Sequence, residues 1–197
     1  MLTRKIDKRK GFLFLAAIFI LNALTFSSPE RTIRQGTLEF TVGSYSMNEP
    51  RFDAVYAKGG LMGGMGLSAA IVSNFNFYLE IKYYNRTGTL TFSKEQTDFY
   101  LLPISLGLRY VVPLGILNPY FGGGADFYFY YEDNPIGTVL NYTNGYHFMG
   151  GAFIRFSKSV PVMINLKLKY TVTKAQENDI PIHLGGLEYA AGLVFVF

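Results

Sequence analysis

Nine charged residues sit where alternation puts them on one face of eight strand-like segments: Glu39, Glu80, Lys82, Arg109, Asp126, Arg155, Lys167, Lys169 and Glu188. Four are acids and five are bases. If that face lines a narrow interior, they must pair, because an unpaired buried charge is very costly. The chemistry this implies is a cross-linked polar plug rather than catalysis. His147 lies on the same face. One of only two histidines, it has no serine partner nearby to activate as a nucleophile. Nothing in the spacing calls for a cofactor or a metal. There is no cysteine, which excludes disulfides, thiolate metal sites and a lipidated cysteine.

Period-two alternation defines the elements that must hold these charges. The segments are 37–45, 60–72, 75–84, 99–112, 119–131, 145–156, 160–171 and 187–197. The third is the clearest, with Phe75, Phe77, Leu79, Ile81 and Tyr83 opposite Asn76, Tyr78, Glu80, Lys82 and Tyr84. Each is close to the 9–11 residues a tilted strand needs to cross a bilayer. Links 46–59, 85–98, 132–144 and 172–183 are long and polar, whereas 73–74, 113–118 and 157–159 are short. Alternating long and short links predict an all-β fold, an eight-stranded antiparallel up-and-down transmembrane β-barrel with both termini on the short-turn, periplasmic side. Aromatics gather at the segment ends: Phe75, Phe77, Tyr110, Phe121, Phe156, Phe195 and Phe197 toward one rim, Tyr83, Phe129, Tyr146, Phe148 and Tyr170 toward the other. Two such girdles suit a bilayer.

The N-terminus reads as an export signal. Arg4, Lys5, Lys8, Arg9 and Lys10 precede an apolar run over 11–26, then Ser27 and Ser28. The run falls short of the roughly 20 residues of a spanning helix. The expected division is therefore a signal peptide over 1–28 and one barrel domain over 29–197. The whole chain carries 18 basic and 14 acidic residues. The leader holds five bases and one acid, so 13 of each sign remain in the mature part. Nucleic-acid binding has no electrostatic support. The G-x-G-x-x-A match at Gly64, Gly66 and Ala69 lacks a strand–turn–helix setting, so small inner residues there read as room for bulky neighbours.

The final segment places Gly192, Phe195 and Phe197 like the C-terminal insertion signal of bacterial outer-membrane barrels. With the eight-segment layout, Leu102-Pro-Ile-Ser-Leu-Gly-Leu-Arg-Tyr110 and Pro119-Tyr-Phe-Gly-Gly-Gly124, residues 35–197 resemble the small outer-membrane barrel family of the OmpA transmembrane domain and OmpX. The resemblance implies location in the outer membrane of a Gram-negative envelope. It also implies outer-membrane lipid and lipopolysaccharide as surroundings, and the barrel assembly machinery as a partner. It specifies architecture, not activity. Some barrels of this size modify lipid A, but the His-x-Ser pair of the deacylases and the Asp-Ser pair of the palmitoyltransferases are absent here. The expectation is a non-enzymatic protein with a largely plugged lumen, whose four loops meet an unidentified surface partner. A narrow pore or small-molecule transport barrel is the alternative.

Overall fold

The computed structural model describes residues 36–197 apart from 73, 136, 158–159 and 178–179. The signal peptide expected over 1–28 lies outside the described residues. Eight strands close into a barrel: β1 (Gly36–Met47), β2 (Gly60–Val72), β3 (Phe75–Thr89), β4 (Gln96–Val111), β5 (Leu117–Asn134), β6 (Gly137–Ile154), β7 (Val162–Thr173) and β10 (Gly186–Val196). Every neighbouring pair is antiparallel and consecutive around the ring, with β10 returning to β1. The expected eight-stranded up-and-down barrel is the fold observed.

The register fixes the pitch. From Leu38 the cross-strand partners run Leu67, Leu79, Leu106, Ala125, Tyr146 and Val172, while in the other direction they run Phe195 and Val162. The ring therefore closes with an offset of 172 − 162 = 10 residues on β7. Strands so staggered tilt by roughly 40° and leave an interior just wide enough for side chains to fill.

Alternation then sorts the side chains. Phe40, Val42, Phe75, Phe77, Leu108, Phe121, Leu166, Leu168, Leu193 and Phe195 are exposed on the outside. Tyr78, Glu80, Lys82, Arg109, Asp126, Lys167 and Glu188 are buried inside. Glycine makes the space. Gly107 faces Gly124 across β4 and β5, and a Cβ on Gly107 would lie 2.8 Å from the Tyr78 hydroxyl. A Cβ on Gly151 would lie 2.5 Å from the Tyr120 ring. Each glycine leaves the volume that a tyrosine on another strand fills.

The connections depart from the expected plain loops. The 46–59 link contains a short helix, α1 (Pro50–Tyr56), with Glu49 as N-cap and Pro50 opening the first turn. The 172–183 link contains a small ladder of β8 (Ala175–Glu177) and β9 (Ile180–Ile182). The 132–144 link is not a loop: β5 and β6 stay paired from Glu132↔Val139 to Asn134↔Gly137. There the Asn134 side chain accepts the Gly137 N–H at 3.1 Å, a side-chain-closed turn. Both faces of this hairpin are wet or half-wet, so its composition reads as loop although its pairing is regular.

Candidate functional site

The chain's chemistry is concentrated at the waist of the lumen, in three linked clusters. In the first, β3 supplies Glu80 and Lys82, β7 Lys167 and β10 Glu188. Lys82 pairs with Glu188, Lys167 pairs with Glu80, Lys82 lies 3.3 Å from Glu80, and Lys167 lies 3.8 Å from Glu188. Two acids and two bases thus form a closed square of alternating sign. In the second, Lys169 donates to Asp126 at 2.9 Å and to Ser105 at 2.6 Å. Asp126 also meets His147 Nδ1 at 2.9 Å, in contact but off the line a hydrogen bond needs. The other ring nitrogen, Nε2, is bonded to the Tyr78 hydroxyl.

In the third cluster the Arg109 guanidinium pairs with Glu39 and donates to Ser68 at 2.8 Å. It lies over the Phe153 ring at 4.7 Å. Asn165 donates to the other Glu39 oxygen at 3.1 Å and accepts from Tyr120 at 2.8 Å. Glu39 also accepts from Thr37 at 3.2 Å.

Eight of the nine charges expected inside are therefore brought together, in opposite-sign contacts. Arg155 is not among them. It follows the end of β6, is half-buried, and its backbone N–H donates to Ile116 O at 2.8 Å, continuing the β5–β6 pairing one step past Leu117↔Ile154. Alternation past the last paired residue of β6 placed it inside, but the strand ends at Ile154. Without Arg155 the waist holds Glu39, Glu80, Asp126 and Glu188 against Lys82, Arg109, Lys167 and Lys169. Four acids face four bases, so the waist is neutral when His147 is neutral.

Sequence reasoning put Tyr78, Tyr84, Tyr128 and Val194 on the inner face but missed most of what surrounds them above and below the waist. Toward the loop rim, Tyr45, Met47, Met62, Tyr84, Leu101 and Tyr128 fill the lumen, and α1 lays Phe52 and Tyr56 across its mouth. Phe52 stacks on Tyr56 at 4.5 Å and meets Phe99 edge-on at 5.0 Å. Arg86 donates twice to the Tyr56 carbonyl, at 2.6 and 3.1 Å, and the Tyr56 hydroxyl bonds Thr97 at 2.9 Å. Burial pushes the Tyr56 phenol well above its ordinary pKa, which keeps it a donor. Glu49 ties α1 to the β9–β10 link by accepting the His183 N–H at 3.0 Å. Toward the terminal rim, Tyr78, Tyr120, Met149, Phe153, Met163 and Val194 make a second apolar layer. Their signal was present: Met149 and Phe153 continue the alternation of His147, but reading the inner face from charges alone passed over them.

A gap of about 10 Å³ beside Glu39, Arg109 and Lys167 is at the lower limit for one water. The larger concavity, about 740 Å³, is a shallow depression on the outer wall over Val42, Gly150, Ala152, Leu166 and Ala191. Among the described residues no group of three metal-ligating side chains occurs. Gly192 and Phe195 lie on β10, and Phe197 just beyond it exchanges two backbone hydrogen bonds with Gly36, at 2.9 and 3.0 Å.

A closed barrel with an apolar outer belt and a polar interior is the architecture of a membrane-spanning β-barrel. No protein-family model matches the chain, and no curated protein matches it in sequence. Its fold is that of the small eight-stranded outer-membrane barrels. It is similar to Neisserial surface protein A, with a TM-score of 0.60 and 14% identity over 83% of this chain and 97% of that one. It is also similar to the N-terminal β-barrel domain of Pseudomonas aeruginosa OprF (TM-score 0.54, 13% identity, 82% and 97% covered). A third likeness is to Ail, the attachment invasion locus protein of Yersinia pestis, crystallised with the heparin analogue sucrose octasulfate (TM-score 0.54, 11% identity, 83% and 100% covered).

Proposed function

We propose that this chain is a non-enzymatic integral outer-membrane protein with a closed lumen, whose loop rim is presented to the cell exterior for structural or interaction roles. The observation that carries this reading is the lumen's layering: a waist of four acids cross-paired with four bases between two apolar layers, with α1 packed across one mouth. An ion entering from either end would have to pass apolar side chains to reach the Glu80, Lys82, Lys167 and Glu188 square, a very unfavourable step. Burial of His147 and Ser105 within that layering supports the non-enzymatic reading, because no substrate has a route to them.

On this reading both termini face the periplasm, and Gly192, Phe195 and Phe197 form the strand signal recognised by the barrel assembly machinery. Outer-membrane lipid and lipopolysaccharide surround the belt. A polysulfated ligand such as the one bound to Ail is not favoured at the loop rim, where Asp98 and Asp133 stand directly opposite each other. Heat-dependent gel mobility and planar-bilayer recording test the proposal together. The folded protein should migrate faster before boiling and give no reproducible single-channel steps. Steps that change with Arg109→Ala would overturn the closed lumen, and a protein that stays soluble without detergent would overturn the membrane assignment.

A further inference from the structure

The apolar outer surface is not equally tall all round the barrel. A strand tilted by roughly 40° climbs about 2.5 Å along the axis per residue. On β5 the outward row begins at Leu117 and reaches Phe127 ten residues later. Those ten residues span about 25 Å, the height of the apolar band on such barrels. The row nevertheless continues to Phe129 and Tyr131, about 5 and 10 Å higher. Their β6 partners are Tyr142 and Leu140, and Tyr131 also faces Tyr100 on β4.

These side chains make one connected surface. Phe129 and Tyr142 lie 6.2 Å apart, and Tyr100 and Tyr131 lie 5.8 Å apart. Tyr142 is 70% and Leu140 64% exposed. On β1, by contrast, the row runs Leu38, Phe40, Val42 and then turns polar at Ser44 and Ser46. The extra height is confined to the side carrying the long β5–β6 hairpin.

We propose that this raised face, formed by Tyr100, Phe129, Tyr131, Leu140 and Tyr142, is a docking ledge for the saccharide head groups of outer-leaflet glycolipid. The inference rests on the membrane placement proposed above. The ledge is continuous with the lipid-facing belt, so what meets it is the layer of the leaflet directly above the acyl chains. Tyrosines with an apolar face and a polar tip suit that layer, and flat rings offer stacking faces to sugar rings. A purely acyl occupant would not require three tyrosines here, nor the carboxylates of Asp98 and Asp133 one row higher on the same face.

The chain contains no tryptophan, so a single introduced indole reports its own surroundings. Tyr142→Trp would be folded into phosphatidylcholine vesicles, with or without rough lipopolysaccharide in millimolar magnesium, beside a belt control, Phe121→Trp. The control indole should emit as membrane-buried in both vesicles. The Tyr142→Trp indole should emit as water-exposed in phosphatidylcholine and shift to the blue only with lipopolysaccharide. The triple variant Phe129→Ser, Leu140→Ser, Tyr142→Ser should still insert, but lose most of the lipopolysaccharide that the wild-type barrel retains through detergent extraction. An indole at 142 already membrane-buried in phosphatidylcholine alone would make the ledge ordinary belt. One unmoved by lipopolysaccharide would remove the saccharide contact. Either result overturns the proposal. If the Phe121→Trp control reports water, the membrane placement itself has failed.

Discussion

Arg109→Leu tests the waist most directly. The substitution removes one base from a balanced set of four acids and four bases, leaving the buried Glu39 side chain without its cationic partner. Removing one partner of a buried ion pair costs about 3–5 kcal/mol. Lost with the guanidinium are its charge-assisted bonds to Glu39 and Ser68, about 1.5–3 kcal/mol each in general, and its packing over Phe153. Glu39 keeps two neutral donors, Asn165 and Thr37, which holds the cost to about 3–4 kcal/mol within that range.

The double variant Glu39→Leu, Arg109→Leu removes the orphaned charge, so it should be no less stable than Arg109→Leu alone. Glu39→Leu alone would strand the buried Arg109 at a cost of about 3 kcal/mol, so the coupling between the two sites should be at least about that large. With no tryptophan to follow, urea titration of vesicle-inserted protein read by heat-sensitive gel mobility is the suitable assay. Arg109→Leu within about 0.5 kcal/mol of wild type, or a double variant whose cost is the sum of the singles, would refute the view that the waist is held by mutual neutralisation.

Three further outcomes follow from the packing. Gly107→Val should sharply lower the folded fraction after refolding into detergent, because its Cβ would lie 2.3 Å from the Gly123 carbonyl, whereas Gly137→Ala, with nothing within 4 Å, should fold like wild type. Tyr56→Phe should cost about 1 kcal/mol through the lost bond to Thr97, read as faster protease cleavage within 48–59 while the barrel keeps its heat-dependent mobility. Phe197→Ala should reduce folded barrel in membranes, since its ring packs against Gly36, and Val196→Thr, facing the lumen, should do much less; the reverse ranking would mean the faces of β10 were wrongly assigned.

The barrel was legible because each strand's two faces differ so strongly in chemistry. Glu80 and Lys82 between Leu79, Ile81 and Tyr83 leave one solution, and eight of the nine charges the same reading expected inside are the ones that meet there. It failed where that contrast weakens. Arg155 obeys the alternation but sits past the end of β6, and nothing in a period-two pattern marks where pairing stops. The upper β5–β6 hairpin has polar residues on both faces, so strand and loop look alike there. Helix α1 did carry local signals, Pro50 at its start and Asp53 in its first turn. Yet seven residues inside a polar link are too few for helical periodicity to show. The apolar layers were hidden for another reason: an inward Met or Phe is chemically indistinguishable from an outward one.

The pairing of β1 with β10 sets a constraint on how the molecule can assemble. Thr37 lies opposite Val196, 159 positions further along the chain, so the one contact that makes the ring a ring is also the most distant in sequence. Until it forms, both edge strands expose rows of N–H and C=O groups that hydrocarbon cannot satisfy, at several kcal/mol each. A half-built sheet is thus a poor lodger in the bilayer core, and there is no gradual route in which strands enter one at a time. Closure and insertion have to coincide, with the seam as the rate-limiting event, slow because contacts of such long range form late. Slowing seam formation should therefore delay the whole barrel rather than leave an incomplete one behind.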